Sequence, residues 1–443
     1  MPETSVAKTS DNLAIQVLKT RRAARALARL STDQRNQILL AAADGLEARE
    51  NEILQANCAD CESLELEISA GTASPALLKR LRTSAAGIRD MSQQVRDVAR
   101  LQDPLGRVLA ITELDDGLVL QKVSCALGVV AVIFESRPDV IPQVGSLAIK
   151  TGNGLVLKGG AEARHTNRVL VSIWHEALAA ANPLLRDAIC AIEDRASVAR
   201  ILEMDRDIDL VVPRGSTEFV NYVFQHSRIP VLGHGSGICH IYVDSAADLN
   251  MAQEVIIDAK IQYPAACNSV EKVLVHQDIA TEFLPVLASA LQNAGVEVRG
   301  CARTDALLSH ASIVPATEAD WRTEYGDLKI TVKIVSDIDE AIDHINHYGS
   351  RHTESILTRD EQAASLFMDE VDAASVFHNA STRFADGFRY GLGAELGISN
   401  SKLHARGPVG LEGLLTYKYK LHGSGQTVAE YAQGKRTFKH RPL

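Results

Sequence analysis

Several absences restrict the kinds of protein that this sequence can encode. No apolar run reaches the ~18 residues that a membrane-spanning helix requires, and residues 1–12 are polar, without the apolar core of a secretory signal peptide. The net charge of −10 provides no cationic excess for binding nucleic acid or an anionic membrane. We therefore expect a cytoplasmic protein that has neither of these partners.

The sequence also lacks the patterns of a disulfide framework or a metal centre. Its seven cysteines are odd in number and scattered, as in a reducing compartment. Cys58 and Cys61 form a Cys-x-x-Cys motif within a helical pattern, with no second pair or histidine nearby, so a redox or zinc role is not favoured. His344 and His347 lie three residues apart without an evident third ligand. We interpret the histidines as structural or exposed and predict no metal.

The chain has the composition of a globular protein and the length of a multidomain one. Hydrophobic residues make up 46% of its 443 residues, and cores stop growing beyond roughly 250–300 residues. Residues 13–97 have helical periodicity, with a capping box at 31–34. Residues 107–113 and 118–123 indicate a β-hairpin. Because its edges need cover, we predict an intersubunit contact, where residues 415–420 could add a strand.

The rest of the chain alternates between apolar strands and helices. The predicted strands are 128–134, 154–157, 185–192 and 209–212, then, after the glycine-rich residues 233–237, 238–244, 270–276, 297–299, 329–336 and 354–357. Such alternation predicts parallel sheets covered on both faces. The predicted fold class is α/β, with two doubly wound domains and a β oligomerisation arm. The cofactor-binding domain comprises residues 1–104 and 127–235, the catalytic domain 236–410, and the arm 105–126 and 411–443.

Cys267 is the candidate nucleophile of the second domain. It lies in a turn-like segment, residues 263–269, between a predicted helix and a predicted strand. Loops on a rigid scaffold commonly carry catalytic groups, and a thiolate is a strong nucleophile even when only partly ionised. A buried structural cysteine is the alternative that this segment alone leaves open. Cys125, Cys190 and Cys239 lie in apolar strands, where the structural interpretation is favoured.

Two loops of the first domain are candidate phosphate sites. Each follows the carboxyl end of a predicted parallel strand, where α/β folds bind ligands, and glycines there allow a close approach. A helix begins after the first loop and can receive phosphate at its N-terminus. The loop residues are Lys158, Gly159 and Gly160 in the first loop, and Arg214, Gly215 and Ser216 in the second. The Gly-x-Gly-x-x-Gly fingerprint is absent, which argues against the standard Rossmann mode.

Two further polar loops carry candidate substrate contacts. Ser136 and Arg137 follow the strand 128–134, where a hydroxyl and a guanidinium can bind an oxyanion or a phosphate. Ser381, Thr382 and Arg383 lie in the loop 379–384, whose single cation suits a carboxylate. Turn capping and surface ion pairs are the alternatives for these loops.

Five segments together resemble the aldehyde dehydrogenase superfamily and, within it, the γ-glutamyl phosphate reductase family. They are residues 128–138, 263–269, 379–384, 391–399 and 403–408, and the resemblance extends over nearly the whole chain. It implies an aldehyde-dehydrogenase-like fold and an NADP-dependent oxidoreductase of L-proline biosynthesis. The expected cofactor is NADPH rather than NADH. A homo-oligomer is expected, with the upstream glutamate kinase as a further candidate partner.

The resemblance also implies roles for individual residues. Cys267 matches the nucleophile of the superfamily, and Asn268 beside it belongs to the predicted catalytic set. Lys158 matches the lysine that holds the cofactor ribose or its 2′-phosphate, whereas Gly215 and Ser216 match the pair near the pyrophosphate. Ser136 falls where dehydrogenases place an oxyanion-hole asparagine. Glu324 resembles the glutamate that orients the nicotinamide ribose, and the loop around Ser381 to Arg383 occupies the usual substrate region.

One departure from the superfamily pattern bears on the reaction. Aldehyde-oxidising members carry a glutamate after the first domain as the base for thioester hydrolysis, but the comparable stretch here, residues 232–237, has no carboxylate. The implied reaction needs none, because Cys267 would displace phosphate from L-glutamyl 5-phosphate and hydride would reduce the thioester to L-glutamate 5-semialdehyde. The alternatives are an aldehyde-oxidising dehydrogenase of the same fold, a cysteine hydrolase using a histidine, and a non-enzymatic binding module.

Overall fold

The chain forms two compact units. The structure, a computed structural model, describes residues 3–194, 196–308 and 313–443. Unit 1 comprises Met1–Leu232, Leu392–Gly397 and Val409–Leu443, and unit 2 comprises Gly233–Gly391 and Ile398–Pro408. The three-part division predicted from the sequence stays a prediction. Among the described residues, no helix combines the length and the apolar character needed to cross a membrane.

Unit 1 begins with five helices and a β-hairpin and then alternates strands with helices. Its helices are α1 (Glu3–Leu27), α2 (Thr32–Ala48), α3 (Glu50–Ser69), α4 (Pro75–Leu81), α5 (Ala85–Arg100), α6 (Val140–Thr151), α7 (Arg164–Ala181), α8 (Ser197–Ile201) and α9 (Thr217–His226). Its first six strands are β1 (Val108–Asp115), β2 (Leu118–Ala126), β3 (Val129–Phe134), β4 (Gly154–Lys158), β5 (Ile189–Ala191) and β6 (Leu210–Arg214). The predicted capping box is confirmed, because Ser31 and Gln34 exchange hydrogen bonds of 3.2 and 2.9 Å.

A four-stranded parallel sheet forms the centre of unit 1. Its strand order is β5-β4-β3-β6, and β3 is buried along its whole length. Lys158 at the end of β4 lies opposite Ile133, and Arg214 at the end of β6 lies opposite Phe134. The carboxyl ends of three neighbouring strands therefore meet at one edge of the sheet, as the two phosphate loops require.

Unit 2 contains a seven-stranded parallel sheet with helices on both faces. Its elements are β7 (Cys239–Val243), α10 (Leu249–Ile261), β8 (Val270–His276), α11 (Gln277–Asn293), β9 (Glu297–Gly300), α12 (Ala302–Leu307), β10 (Val314–Pro315), β11 (Lys329–Val335), α13 (Ile338–Tyr348), β12 (Thr353–Leu357), α14 (Glu361–Glu370) and β13 (Ser375–His378). The strand order is β10-β9-β11-β8-β7-β12-β13. Ile241 and Val243 pack on one face with α10 and α11, whereas Tyr242 packs on the other with α13 and α14. This alternation follows from the two-residue period of a strand.

The C-terminal segment completes an antiparallel sheet around the hairpin. After the short strands β14 (Gly397–Ser399) and β15 (Gly407–Val409) come β16 (Leu415–His422), α15 (Val428–Ala432) and β17 (Arg441–Pro442). The sheet order is β16-β2-β1-β17. Leu415 lies opposite Ala126 and His422 opposite Val119, so the C-terminal strand predicted from the sequence does pair with the hairpin.

Some predicted elements were wrong or missing. The strand predicted over 185–192 is a 3-10 helix, Pro183–Ala188, followed by the short β5. The helix begins there because the Asn182 side chain accepts a hydrogen bond from Leu184 N–H at 2.9 Å and proline favours the first helical position. The sequence interpretation also omitted α9, α12, α14 and β13. These elements are short, and short apolar segments give a weak periodic signal.

Candidate active site

The loop that carries Cys267 is a tight turn between α10 and β8. Ala266 N–H donates to the Tyr263 carbonyl at 3.1 Å, and Ser269 N–H donates to the Ala266 carbonyl at 2.9 Å. The buried Ser269 hydroxyl donates to the Ala259 carbonyl in the last turn of α10, at 3.2 Å. Cys267 is half-buried. The turn therefore holds a partly exposed thiol on a backbone that is anchored at both ends.

Gly237 allows the backbone of its own segment to lie against the nucleophile loop. A Cβ atom added at Gly237 would lie 2.0 Å from the Cys267 carbonyl oxygen and 2.7 Å from its Cα, both far inside contact distance. The thiol of the neighbouring Cys239 donates to the same carbonyl at 3.2 Å. Gly237, the last of the glycine-rich residues 233–237, thus serves close backbone packing against Cys267.

Two histidines lie beside the thiol. One ring nitrogen of His234, one of His352 and the Cys267 Sγ all lie within 4.8 Å of one another. The three residues come from the segments that enter the neighbouring parallel strands β7, β12 and β8. The amino ends of parallel strands meet at one edge, which explains how residues so far apart in sequence become neighbours. The sequence interpretation missed both histidines, since neither belongs to a spacing motif.

The ring orientations of these histidines are set by hydrogen bonds. His234 Nδ1 lies 2.9 Å from the Ile398 carbonyl oxygen, an acceptor, so Nδ1 carries the proton and Nε2 is the basic nitrogen. His352 is wholly buried, and its Nδ1 lies 2.9 Å from the Thr353 hydroxyl and 3.7 Å from Cys239 Sγ. His352 Nε2 makes no hydrogen bond within the described part of the chain. A buried ring nitrogen without a partner is costly, so this one calls for an explanation.

The predicted substrate loop is fastened to the nucleophile loop. The Thr382 hydroxyl donates to the Asn268 carbonyl at 2.7 Å, and the Asn268 amide donates to the Ala385 carbonyl at 2.8 Å. Arg383 Nε donates to the Gln262 side chain at 2.8 Å. The residues Ser381, Thr382 and Arg383 are all buried. Unit 2 thus does bring Cys267, Asn268 and the 381–383 loop together.

Arg383 is a buried cation beside the nucleophile. Its guanidinium lies 5.9 Å from the Tyr263 ring centroid. Burial lowers the pKa of Arg383, and the nearby carboxylate Asp386 and the Cys267 thiolate partly offset that shift. A desolvated guanidinium can bind a carboxylate in bidentate fashion.

Glu324 follows a 3-10 helix of unit 2, Glu318–Arg322, and its charge acts on Cys239, whose thiol donates to the Cys267 carbonyl. The segment that carries it is anchored by the buried Lys272, whose Nζ donates to the Thr323 carbonyl at 2.8 Å and lies 4.3 Å from the Tyr325 ring centroid. Burial lowers the pKa of Lys272 and raises that of its neighbour Glu271. Glu324 itself is half-buried. Its predicted role toward the nicotinamide ribose stays a prediction.

In unit 1, the residues of the first phosphate loop lie at the end of β4. Lys158 is buried, with 7% of its surface exposed, and its ammonium donates to the Gly159 carbonyl at 2.6 Å. A Cβ atom at Gly159 would lie 2.3 Å from Asn167 Nδ2, and one at Gly160 would lie 2.0 Å from Glu162 Oε1. A side chain at either glycine would therefore displace Asn167 or Glu162, and the buried cation Lys158 lies beside them.

The second loop already binds an anion supplied by the chain. Ser216 caps α9, and its backbone N–H donates to the Glu135 carboxylate at 3.2 Å. Gly215 provides room for that carboxylate, because a Cβ there would lie 2.7 Å from Glu135 Oε2. Arg214 donates to the Gln143 side chain at 3.0 Å. The Glu135 carboxylate stands where a phosphate oxygen was predicted, which indicates that this helix N-terminus fits an anion.

Ser136 has a strained backbone and a hydroxyl that already donates a hydrogen bond. Its φ is 37°, in the left-handed region that serine rarely adopts. Its N–H and its hydroxyl both donate to Glu162 Oε1, at 2.7 and 2.5 Å. Arg137 next to it is exposed and pairs with Asp139 at 3.1 Å. The single hydroxyl proton of Ser136 would have to leave Glu162 before it could stabilise an oxyanion.

Comparison with known proteins identifies the family to which the chain belongs. Residues 4–305 match the model of the aldehyde dehydrogenase family. The chain belongs to that family. It is 53% identical to the γ-glutamyl phosphate reductase of Cyanothece sp. over 99% of this chain and 100% of the relative, and 52% identical to that of Acaryochloris marina over 96% and 97%.

Solved structures support the same grouping. The crystal structure of γ-glutamyl phosphate reductase from Thermotoga maritima matches with a TM-score of 0.90 and 41% identity, covering 94% of this chain and 99% of that one. Glyceraldehyde-3-phosphate dehydrogenase GapN from Methanocaldococcus jannaschii, complexed with NADP, matches with a TM-score of 0.66 at 17% identity, covering 94% of each chain, a likeness of fold alone. The aldehyde-dehydrogenase-like α/β fold predicted from the sequence is confirmed.

Proposed function

We propose that this chain reduces L-glutamyl 5-phosphate to L-glutamate 5-semialdehyde with release of phosphate, using NADPH, in L-proline biosynthesis. The observation that carries the proposal is the thiol of Cys267, held on an anchored turn beside two histidines and a buried arginine. The similarity at about half of all positions to γ-glutamyl phosphate reductases supports the choice of substrate.

In the proposed first step, the Cys267 thiol loses its proton and attacks the acyl carbon. A ring nitrogen of His234 or His352, each within 4.8 Å, can accept that proton. The new C–S bond replaces the bond from the acyl carbon to the phosphate oxygen. Phosphate leaves with its electron pair and takes up the proton. In the proposal, Arg383 binds the α-carboxylate of the substrate.

The second step returns the enzyme to its starting state. A bound nicotinamide would supply the hydride that reduces the thioester carbon. The resulting oxyanion can receive a hydrogen bond from the backbone N–H of Cys267. The Ser136 hydroxyl, which donates to Glu162, stays a predicted oxyanion donor. Breaking of the C–S bond then releases the aldehyde and regenerates the thiolate. Residues 232–237 hold no carboxylate that would direct water to the thioester.

The residues of unit 1 fit a nicotinamide cofactor that carries phosphates. Glu135 already places a carboxylate at the N-terminus of α9, so this position accepts negative charge. In the proposal, Ser216 would hold the pyrophosphate in place of Glu135, and Lys158 would hold the ribose or its 2′-phosphate. Because a 2′-phosphate needs a cation beside it, the ammonium of Lys158 favours NADPH over NADH. Glu324 of unit 2 is proposed to orient the nicotinamide ribose.

The exposed β16 supports a homo-oligomer. Apart from Leu415, every residue of this strand is exposed, and β16 is an edge strand of its sheet. An exposed strand edge with apolar side chains calls for a partner. We propose that a second copy of the chain covers it, in a protein of the cytoplasm.

The phosphate requirement of the reverse reaction tests the proposed function. Purified protein is given L-glutamate 5-semialdehyde and NADP, with and without inorganic phosphate, and NADPH formation is followed. We expect turnover only with phosphate, and a loss of about a thousandfold or more in Cys267→Ser, in which cofactor binding persists. Cys301→Ser is the matched control and should retain activity. Equal rates with and without phosphate would reject the reductase in favour of an aldehyde oxidiser.

A further inference from the structure

The cluster formed by His234, Cys267 and His352 has the composition of a metal site. It contains one thiol and two imidazoles, and one ligand atom of each residue lies within 4.8 Å of the other two. All three residues belong to unit 2, and each precedes one of three adjacent strands of the same sheet. Such soft and borderline ligands select Zn²⁺ over Mg²⁺ or Ca²⁺, which prefer oxygen.

The hydrogen bonds around the two imidazoles prepare them as ligands. A metal-binding histidine usually donates its other ring N–H to an acceptor, which fixes the tautomer and leaves a lone pair for the metal. His234 does so, with Nδ1 bonded to the Ile398 carbonyl. His352 is wholly buried, with Nδ1 next to the Thr353 hydroxyl and with Nε2 unbonded within the described residues. The buried, unpartnered nitrogen is an observation independent of the residue types.

The spacing is compatible with a tetrahedral ion after a small adjustment. With Zn–S near 2.3 Å and Zn–N near 2.0–2.1 Å, ligand atoms of a tetrahedral site lie about 3.5 Å apart. The present limit of 4.8 Å therefore requires a contraction of up to about 1.3 Å for each pair. Cys267 and His234 are half-buried, so rotation of these two side chains can supply it.

We propose that His234, Cys267 and His352 bind one Zn²⁺ ion, with the fourth position open to water. On binding, the Cys267 S–H bond breaks, its proton passes to solvent, and the sulfur electron pair forms the bond to zinc; no oxidation occurs. A thiolate that donates an electron pair to zinc is a weaker nucleophile toward an acyl carbon than the free thiolate. The site is therefore a reversible zinc switch of the enzyme, a consequence that rests on the proposed function, whereas the binding itself does not.

Zinc binding is measured first, without reference to activity. Full-length, chelator-treated protein competes with a chromophoric chelator for Zn²⁺, and Co²⁺ is added in parallel. We expect one tight equivalent per chain and a thiolate-to-cobalt charge-transfer absorption. Cys267→Ser should abolish that absorption, and His234→Ala, at a half-buried position, should weaken zinc binding about a hundredfold or more. Undiminished binding in Cys267→Ser would overturn the proposal.

Two control variants test candidate zinc ligands that lie outside the cluster. Cys58→Ser removes the exposed member of the Cys-x-x-Cys motif, and His226→Ala removes an exposed histidine of α9. Both should bind zinc as the unaltered chain does. If Cys58→Ser instead lost the tight equivalent, the site would be the helical motif and the proposal would fail.

The activity measurement separates this proposal from the proposed function. One equivalent of Zn²⁺ should stop turnover, and excess EDTA should restore it. In the same sample, zinc should protect Cys267 from alkylation. Protein that binds zinc through Cys267 but never reduces an acyl phosphate would uphold the site and reject the proposed reaction. Full turnover with the tight equivalent bound would overturn the switch.

Discussion

At the scale of single residues, close contacts limit which side chains certain positions tolerate. Gly237 meets the backbone carbonyl of the nucleophile, whereas Gly215 meets the movable carboxylate of Glu135. Neither has a left-handed backbone, so the limit comes from space and not from conformational freedom. The sequence shows that glycines are present in these loops, but it cannot show which atoms lie against them.

Replacing Gly237 with alanine should disable the nucleophile loop. The added Cβ would force the Cys267 backbone to move, costing about 1–3 kcal/mol of stability. A displacement of this size at the reacting atom should lower kcat/KM about a hundredfold. Gly295→Ala, at a left-handed position with open space around it, is the control. It should cost about 1–2 kcal/mol without loss of kcat/KM, and equal activity losses in both variants would contradict the argument.

Replacing Lys158 with methionine should alter cofactor choice. One charge-assisted contact with phosphate contributes about 1.5–3 kcal/mol, so KM for NADPH should rise roughly ten- to a hundredfold, with a smaller change for NADH. Steady-state kinetics with both cofactors measures the ratio. Lys79→Met, in the last turn of α4, is the control. An unchanged NADPH-to-NADH ratio in Lys158→Met would remove this lysine from cofactor recognition.

At the scale of elements, parallel strand order is what assembles the chemistry. In unit 1, the carboxyl ends of β3, β4 and β6 gather the predicted phosphate loops. In unit 2, the amino ends of β7, β8 and β12 gather the thiol and two histidines. Between β7 and β12, the buried Glu354 accepts hydrogen bonds from the His240 backbone and ring at 2.6 and 2.9 Å. Such buried polar contacts fix the register of these strands.

The packing of α13 against the sheet should make stability depend on pH. Burial, and then the charges of His240 and Lys333, lower the pKa of His344 from 6.5 to about 2. The unfolded chain therefore binds a proton that the folded chain excludes. The stabilisation from this group is fully present above about pH 6.5. Below that pH, its contribution to the free energy of unfolding falls by about 1.4 kcal/mol per pH unit.

Urea unfolding at pH 7 and at pH 5 checks this expectation. The free energy of unfolding should fall less steeply with acid in His344→Gln than in the unaltered chain. In His226→Gln, at an exposed position, the free energy of unfolding should change with pH as it does in the unaltered chain. If the His344→Gln and unaltered curves ran parallel across this pH range, the buried imidazole would not be the source of the pH dependence.

At the scale of the whole molecule, β16 determines the expected assembly. Tyr417, Tyr419 and Leu421 lie on one face of this strand and are 48%, 61% and 56% exposed. The ammonium of Lys122 lies 3.8 Å from the Tyr417 ring centroid, and the two tyrosine rings contact each other at 5.7 Å. An ordered apolar face on an edge strand is suited to a second copy of the chain.

A charge on that face should dissociate the proposed oligomer. In Leu421→Asp, an unpaired carboxylate would be buried in the interface, so the mass measured by light scattering should fall to that of a single chain. Leu66→Asp, at an exposed leucine of α3, provides the matched control and should keep the mass of the unaltered protein. A single-chain mass for the unaltered protein would refute the proposed assembly outright.

The sequence by itself determined the helices of residues 13–97, the hairpin, most of the parallel strands, and the loop that carries Cys267, because periodicity and turn chemistry are local properties. Its family resemblance also indicated the fold. Only the tertiary structure decided that His234 and His352 flank the thiol, that Glu135 lies on the α9 N-terminus, and that Glu162 holds the Ser136 hydroxyl. These contacts join residues from separate strands and loops. Which residues become neighbours depends on the order of the strands in the sheet, and no local sequence pattern encodes that order.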